Sequence, residues 1–284
     1  MIHQPEDLSR EELDFQLSPS RIAKDPWGVL QRHVDETAAL DHRAGLRVTR
    51  DIPYGTGARQ RFDLCRPAVG ERCPCLVFIH GGFWQEGSKD GSGFAAEAFA
   101  GAGWAHAGIG YTLAPDATLA QIVEEIARAL TTLQNRSTSL GIDPHRLVIA
   151  GHSAGAHLAA AMMSGLGGET AARAIAGAVL ISGVYELAPV AASYVNDLVR
   201  MDAQAVAALS PLRHRPLRPI PTQVVIGADE SDAFQWQSRT LVSAWKPHLP
   251  DLSLTSVPGR DHFDILDELG QPDSPVFRPI TRMV

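Results

Sequence analysis

The spacing of apolar positions changes period along the chain, and each change predicts an element. Between residues 9 and 44, Leu13, Leu17, Ile22, Trp27, Leu30, Val34 and Leu40 stand among charges and are interrupted by Pro19 and Pro26. That pattern predicts two or three short helices. Residues 47–54 and 60–65 alternate and are separated by a turn containing Gly55 and Gly57, which predicts an antiparallel hairpin. Residues 75–79 form a continuous apolar run, as expected of a strand buried on both faces. A small-residue helix over 93–102 and a second buried strand over 104–111 follow. Over 119–134, Leu119, Ile122, Val123, Ile126, Leu130 and Leu133 recur at helical spacing, with Glu124, Glu125 and Arg128 assigned to the opposite face. After the break at Gly141-Ile142-Asp143-Pro144, strand and helix alternate again. Strands are predicted at 146–150, 174–181, 222–227 and 252–257, and helices at 157–163, 231–245 and 262–269. Alternation of this kind implies parallel strands. The fold class expected is α/β, with a mostly parallel central sheet and helices on both faces.

Composition narrows this picture. A chain of 284 residues, 45% hydrophobic and 20% charged, suits one large α/β domain over 1–284. Within it, residues 1–45 form an N-terminal helical segment. The irregular, proline-rich stretch 182–221, with one helical piece near 202–209, reads as a cap or lid insertion. A formal net charge of -7 with scattered arginines argues against a nucleic-acid partner. The first twenty residues lack an apolar core, and no run of about 18 apolar residues occurs. A soluble, cytoplasmic protein with no membrane partner is expected. Whether it pairs as a homodimer is left open. Cys65, Cys73 and Cys75 are the only cysteines and read as reduced, packed thiols. Cys73-Pro74-Cys75 lacks a second Cys/His pair at zinc-like spacing, so no metal and no cofactor is expected.

The chemistry centres on Gly151-His152-Ser153-Ala154-Gly155, which lies between a predicted strand and a predicted helix. Small residues around a serine at a strand-to-helix turn present its hydroxyl above the sheet, so Ser153 is the candidate nucleophile. A serine hydroxyl needs an imidazole to take its proton, and the imidazole needs a carboxylate to hold its tautomer. In the α/β-hydrolase arrangement these follow in the order Ser, acid, His. His262, directly after the last strand, is the candidate base, and His248 reads as a surface residue. The acid belongs after the strand 222–227, where Asp229, Glu230 and Asp232 stand together. Spacing after Gly227 favours Glu230, Asp229 is the rival, and Asp232 reads as a helix N-terminal charge. The loop His80-Gly81-Gly82-Phe83-Trp84 ends a buried strand two strands earlier. The amides of Gly82, Phe83 and Ala154 are assigned to an oxyanion hole, with His80 structural.

With these residues in place the chain resembles the arylformamidase, or kynurenine formamidase, family of the HGGxW hydrolases. The resemblance rests on His80-Gly81-Gly82-Phe83-Trp84-Gln85, Gly87-Ser88-Lys89-Asp90, Gly151-His152-Ser153-Ala154-Gly155-Ala156-His157-Leu158, Gly183-Val184-Tyr185-Glu186-Leu187 and Gly259-Arg260-Asp261-His262-Phe263. It covers most of the chain beyond residue 45. It implies cofactor-free hydrolysis of N-formyl-L-kynurenine to L-kynurenine and formate, in tryptophan degradation. The family commonly uses Asp as the acid, and Glu230 departs from that. The alternative is a carboxylesterase or amidase acting on another small acyl substrate. Trp84, Tyr111, Tyr185 and Phe263 flank the motifs and form either an aromatic wall for an aryl substrate or part of the core, with Trp84 the first choice for substrate contact. Arg260 and Asn196 are noted as possible partners of a substrate carboxylate, without assignment.

Overall fold

The computed structural model describes residues 5–70 and 72–284. Eight strands form one sheet: β1 (Leu46–Pro53), β2 (Arg61–Pro67), β3 (Cys73–Ile79), β4 (Ala105–Ile109), β5 (Ile142–His152), β6 (Ile175–Ile181), β7 (Thr222–Gly227) and β8 (Leu252–Val257). Their order across the sheet is β1-β2-β4-β3-β5-β6-β7-β8. β2 pairs antiparallel with β1 and β4, and every later pairing is parallel.

The apolar runs divide between the two faces because side chains alternate along a strand. On β3, Cys75, Val77 and Ile79 join one core cluster while Leu76 and Phe78 join the other; on β5, Leu147 and Ile149 separate in the same way from Val148 and Ala150. Each fully buried aliphatic or aromatic side chain of this kind contributes about 1.5–3 kcal/mol. The long helix Leu119–Asn135 opens with a capping box formed by Thr118 and Gln121 and buries the predicted stripe. Glu125, expected on its polar face, is buried instead. Its carboxylate accepts hydrogen bonds from Gln60 Nε2 (2.8 Å) and the Thr112 amide (2.8 Å), satisfying a donor that the preceding loop would otherwise strand.

Two further expectations are corrected. The segment after β8 is a 3-10 helix over Asp264–Gly270 rather than an α-helix from residue 262, because Asp261 Oδ1 accepts the amides of Phe263 and Asp264 and tightens the turn. Pro144 lies within β5, which starts at Ile142; the pairing with β3 shifts register between Cys73 and Cys75, which accommodates the proline. The three cysteines are free, Cys65 and Cys75 are buried, and burial pushes the Cys65 thiol up to about 11.

Candidate active site

The C-terminal ends of the parallel strands converge on one depression, the usual site of chemistry in an open α/β sheet. Ser153 follows β5 and precedes the helix Ala154–Met163, with φ 55° and ψ -118°. This left-handed backbone costs a non-glycine residue about 1–3 kcal/mol. Its surroundings hold it there: the Ser153 amide donates to Ile181 O (2.8 Å), and Ser153 O accepts from the amides of Ala156 and His157. The flanking glycines permit the turn by close approach. A Cβ on Gly151 would stand 2.1 Å from Gly155 O, and one on Gly155 would stand 2.0 Å from Ile79 O.

Glu230 lies in the turn after β7, whose closure explains the spacing from Gly227. The Glu230 amide donates to Gly227 O (3.3 Å), and the Gly227 amide donates to Glu230 Oε1 (2.8 Å). Ser182 Oγ donates to the same oxygen at 2.5 Å. The other oxygen, Oε2, accepts from His262 Nδ1 at 2.7 Å, with both side chains buried. A carboxylate is acceptor-only, so Nδ1 carries the proton and the lone pair resides on Nε2. His262 O in turn accepts from His152 Nε2 (2.7 Å), so the imidazole is fixed at both backbone and side chain. Burial, reinforced by neighbouring His262, holds His152 well below the ordinary histidine range and neutral. Asp229 points away and pairs with Lys24 Nζ at 3.1 Å, while Asp232 is the first residue of the helix Asp232–Trp245.

The loop after β3 faces Ser153: a Cβ on Gly81 would come within 3.0 Å of Ser153 Cβ. Gly82, Phe83 and Trp84 all have positive φ (100°, 45° and 61°). The loop is pinned by the amides of Gln85 and Glu86 on Gly82 O and by the Ala114 amide on Trp84 O. Among the described residues, none accepts a hydrogen bond from the amides of Gly82, Phe83 or Ala154. His80 stacks on Tyr111 with centroids 4.3 Å apart and donates from Nδ1 to Gly81 O (2.8 Å). Burial lowers its pKa to about 4.

Ser153, His262 and the Gly82-Phe83 turn open into a cavity of about 460 Å³. Its floor comes from the strand ends. Its roof comes mostly from the N-terminal segment through Pro19, Ser20, Trp27, Leu30, His33 and Val34.

Comparisons with known proteins address the family and the fold. The sequence model of the BD-FAE family matches residues 62–214. The kynurenine formamidase of Salmo salar is 30% identical, with 98% of this chain and 97% of that protein covered; that of Danio rerio is 28% identical over the same shares. A solved structure from Silicibacter sp. tm1040, described as that of a candidate thioesterase, superposes with a TM-score of 0.85 at 30% identity, covering 95% of this chain and 99% of that one. The chain belongs to the kynurenine formamidase family. It is a hydrolase with the α/β-hydrolase fold.

In this member of the kynurenine formamidase family, Ser153, His262, Gly82 and Phe83 line one cavity, while Glu230 stands behind His262 and Ala154 is buried directly after Ser153. Trp84 does not line it. Its indole is fully buried, packs edge-on against His157 at 5.0 Å and is absent from the cavity lining. The ring anchors the strained turn from below, so that its neighbour Phe83 faces the cavity. Tyr111 and Tyr185 are likewise core, whereas Phe263 lines the cavity. Arg260 pairs with Glu268 at 2.7 Å, and Asn196 exchanges hydrogen bonds with the backbone of Met201; neither lines the cavity. The stretch 182–221, expected as the cap, contributes Tyr194 and Val195.

Sequence reasoning missed Ser182 and the roof. Ser182 stands at the end of β6 with φ 51°, and its position one residue beyond a central parallel strand was the available signal. The roof gave no local signal, because its contacts to the His262 and Glu230 loops join residues more than 200 positions apart.

Proposed function

We propose that the protein is a serine hydrolase that deformylates an aryl formamide, N-formyl-L-kynurenine, to release L-kynurenine and formate. The observation that carries the reading is the buried His262–Glu230 pair at 2.7 Å opening on the same cavity as Ser153 and the Gly82-Phe83 turn. In this reading His262 Nε2 takes the Ser153 hydroxyl proton as Oγ attacks the formyl carbon. The amides of Gly82, Phe83 and Ala154 receive the developing oxyanion, each donor contributing about 2.7–4 kcal/mol to the transition state. His262 then returns the proton to the aniline nitrogen as the C–N bond breaks. Water, deprotonated by the same imidazole, hydrolyses the formyl ester and frees formate. Phe83 at the oxyanion turn crowds the acyl side, which suits a formyl group, and the apolar roof suits an aryl leaving group.

The test is covalent trapping. Treatment with a small aryl phosphonate should abolish deformylation of N-formyl-L-kynurenine and add one phosphonyl group to the peptide containing Ser153. Labelling elsewhere, or activity that survives stoichiometric labelling of Ser153, would contradict the reading.

A further inference from the structure

The cavity is charged at one place. Among the described residues that line it, Glu86 is the sole Asp, Glu, Lys or Arg. Burial holds His80 and His152 neutral. The Glu86 carboxylate makes no ion pair or hydrogen bond with a described residue. The nearby cations are occupied elsewhere. Lys89 Nζ is held by Asp51, Asp63 and Asp90, and Arg59 donates to the carbonyls of Tyr111 and Gly87.

Its place in the loop relates this charge to the reaction. A Cβ on Gly82 would stand 3.1 Å from Glu86 Cβ, so the Glu86 side chain leaves the backbone beside the turn assigned to the oxyanion. A substrate whose carbonyl oxygen lies on that turn shares the cavity with the carboxylate. The cavity offers no lysine or arginine to a carboxylate on that group, and the chain's net charge of -7 sets a background that favours cations.

We propose that Glu86 is a specificity residue that binds an ammonium on the leaving group, making amine-bearing aryl formamides and esters the favoured substrate class. The inference rests on the reading of the Ser153 cavity as the substrate site. Because Glu86 is exposed, the pair is solvated and its effect modest, about two- to five-fold.

The test compares 4-(2-aminoethyl)phenyl acetate with 4-ethylphenyl acetate, two aryl esters that differ in the ammonium. The ratio of their kcat/KM values would be measured on single preparations of wild type, Glu86→Gln and Glu86→Lys, so that losses of folded protein cancel. The expected result is a ratio about two- to five-fold lower in Glu86→Gln than in wild type, lower again in Glu86→Lys, with the differences shrinking at high salt. Equal ratios in the three proteins, with both esters turned over, would overturn the role of Glu86 and leave the hydrolase reading intact. If wild type turned over neither ester and no aryl formamide, the proposed function would fall and take this inference with it.

Discussion

The floor and the roof of the cavity are built differently. On the floor, Ser153, Glu230 and His262 follow the ends of β5, β7 and β8 and are buried to within a few per cent. Each is fixed by two or more short hydrogen bonds from neighbouring strands or turns. The roof is the segment from Pro19 to Val34, in which Trp27 remains 67% exposed. It is tied down by polar contacts to the loops around the floor. The Lys24 amide donates to Asp261 Oδ2 (3.0 Å), Arg32 and His33 meet Asp267 at 2.5 and 3.1 Å, and just before the segment Gln16 O accepts from Ser231 Oγ (2.7 Å). Of these, the part-exposed Arg32–Asp267 pair contributes only about 0–1 kcal/mol. The difference teaches that the groups proposed to react are fixed by a dense set of short hydrogen bonds, whereas the wall proposed to meet the leaving group is held by fewer polar contacts.

If that division is right, damage to the floor should appear in kcat. Ser153→Ala and His262→Ala should each lower kcat by on the order of 10^6, and the double variant should be little worse, because the two act as a unit. Additive losses would break the comparison. Glu230→Gln should follow, at about 10^4, while Asp229→Asn, altering a residue paired with Lys24 on the surface, should change kcat less than about three-fold. Steady-state kinetics on one aryl formamide read both; the reverse ranking would move the acid to Asp229.

Stability against pH gives the next effect. Burial holds His80, His106 and His157 at about 4 and His152 well below its ordinary value. Between about 6.5 and 4 the unfolded chain binds protons that the native one refuses, so stability should fall as pH falls through that window. The expected slope is about 1 kcal/mol per histidine per pH unit, measured by urea unfolding at pH 7, 6 and 5. A stability unchanged down to pH 5 would mean that these imidazoles are not held neutral. The smallest effect belongs to the roof. Trp27→Ala and Asp267→Asn should raise KM for an aryl substrate several-fold and leave kcat within about two-fold. A large loss of kcat in either would make the roof part of the rigid apparatus.

The same division governed what could be read from the chain. Floor residues sit in short motifs whose spacing is dictated by local geometry: Gly151 and Gly155 must lack side chains for the Ser153 turn to form, and Glu230 is fixed by a turn closed on Gly227. Such constraints leave a signature within five residues. Trp84 was misplaced because a bulky residue in the loop after β3 can point either into the cavity or beneath it, and the run of positive φ values through Gly82, Phe83 and Trp84 is not written in residue types. Glu125 was misplaced for a related reason. Helical spacing marks which face is apolar, but the amide of Thr112 that captures the carboxylate belongs to a preceding loop. The 182–221 stretch read as a cap from its prolines, yet it packs largely as support, with the amides of Tyr185 and Glu186 on Gln237 Oε1. Pro19 to Val34 showed only amphipathic helix, since what it covers is set by contacts with the far end of the chain.

In the proposed reaction the triad works on the smallest acyl group with an aryl leaving group. Its most direct test is kcat/KM for N-formyl-L-kynurenine beside formyl, acetyl, butyryl and octanoyl esters of p-nitrophenol, on one preparation. The account predicts that formylkynurenine is the best substrate and that the esters decline steeply with chain length, each methylene that does not fit beside Phe83 costing up to about 1–3 kcal/mol. Octanoyl turnover exceeding acetyl, with formylkynurenine untouched, would contradict it.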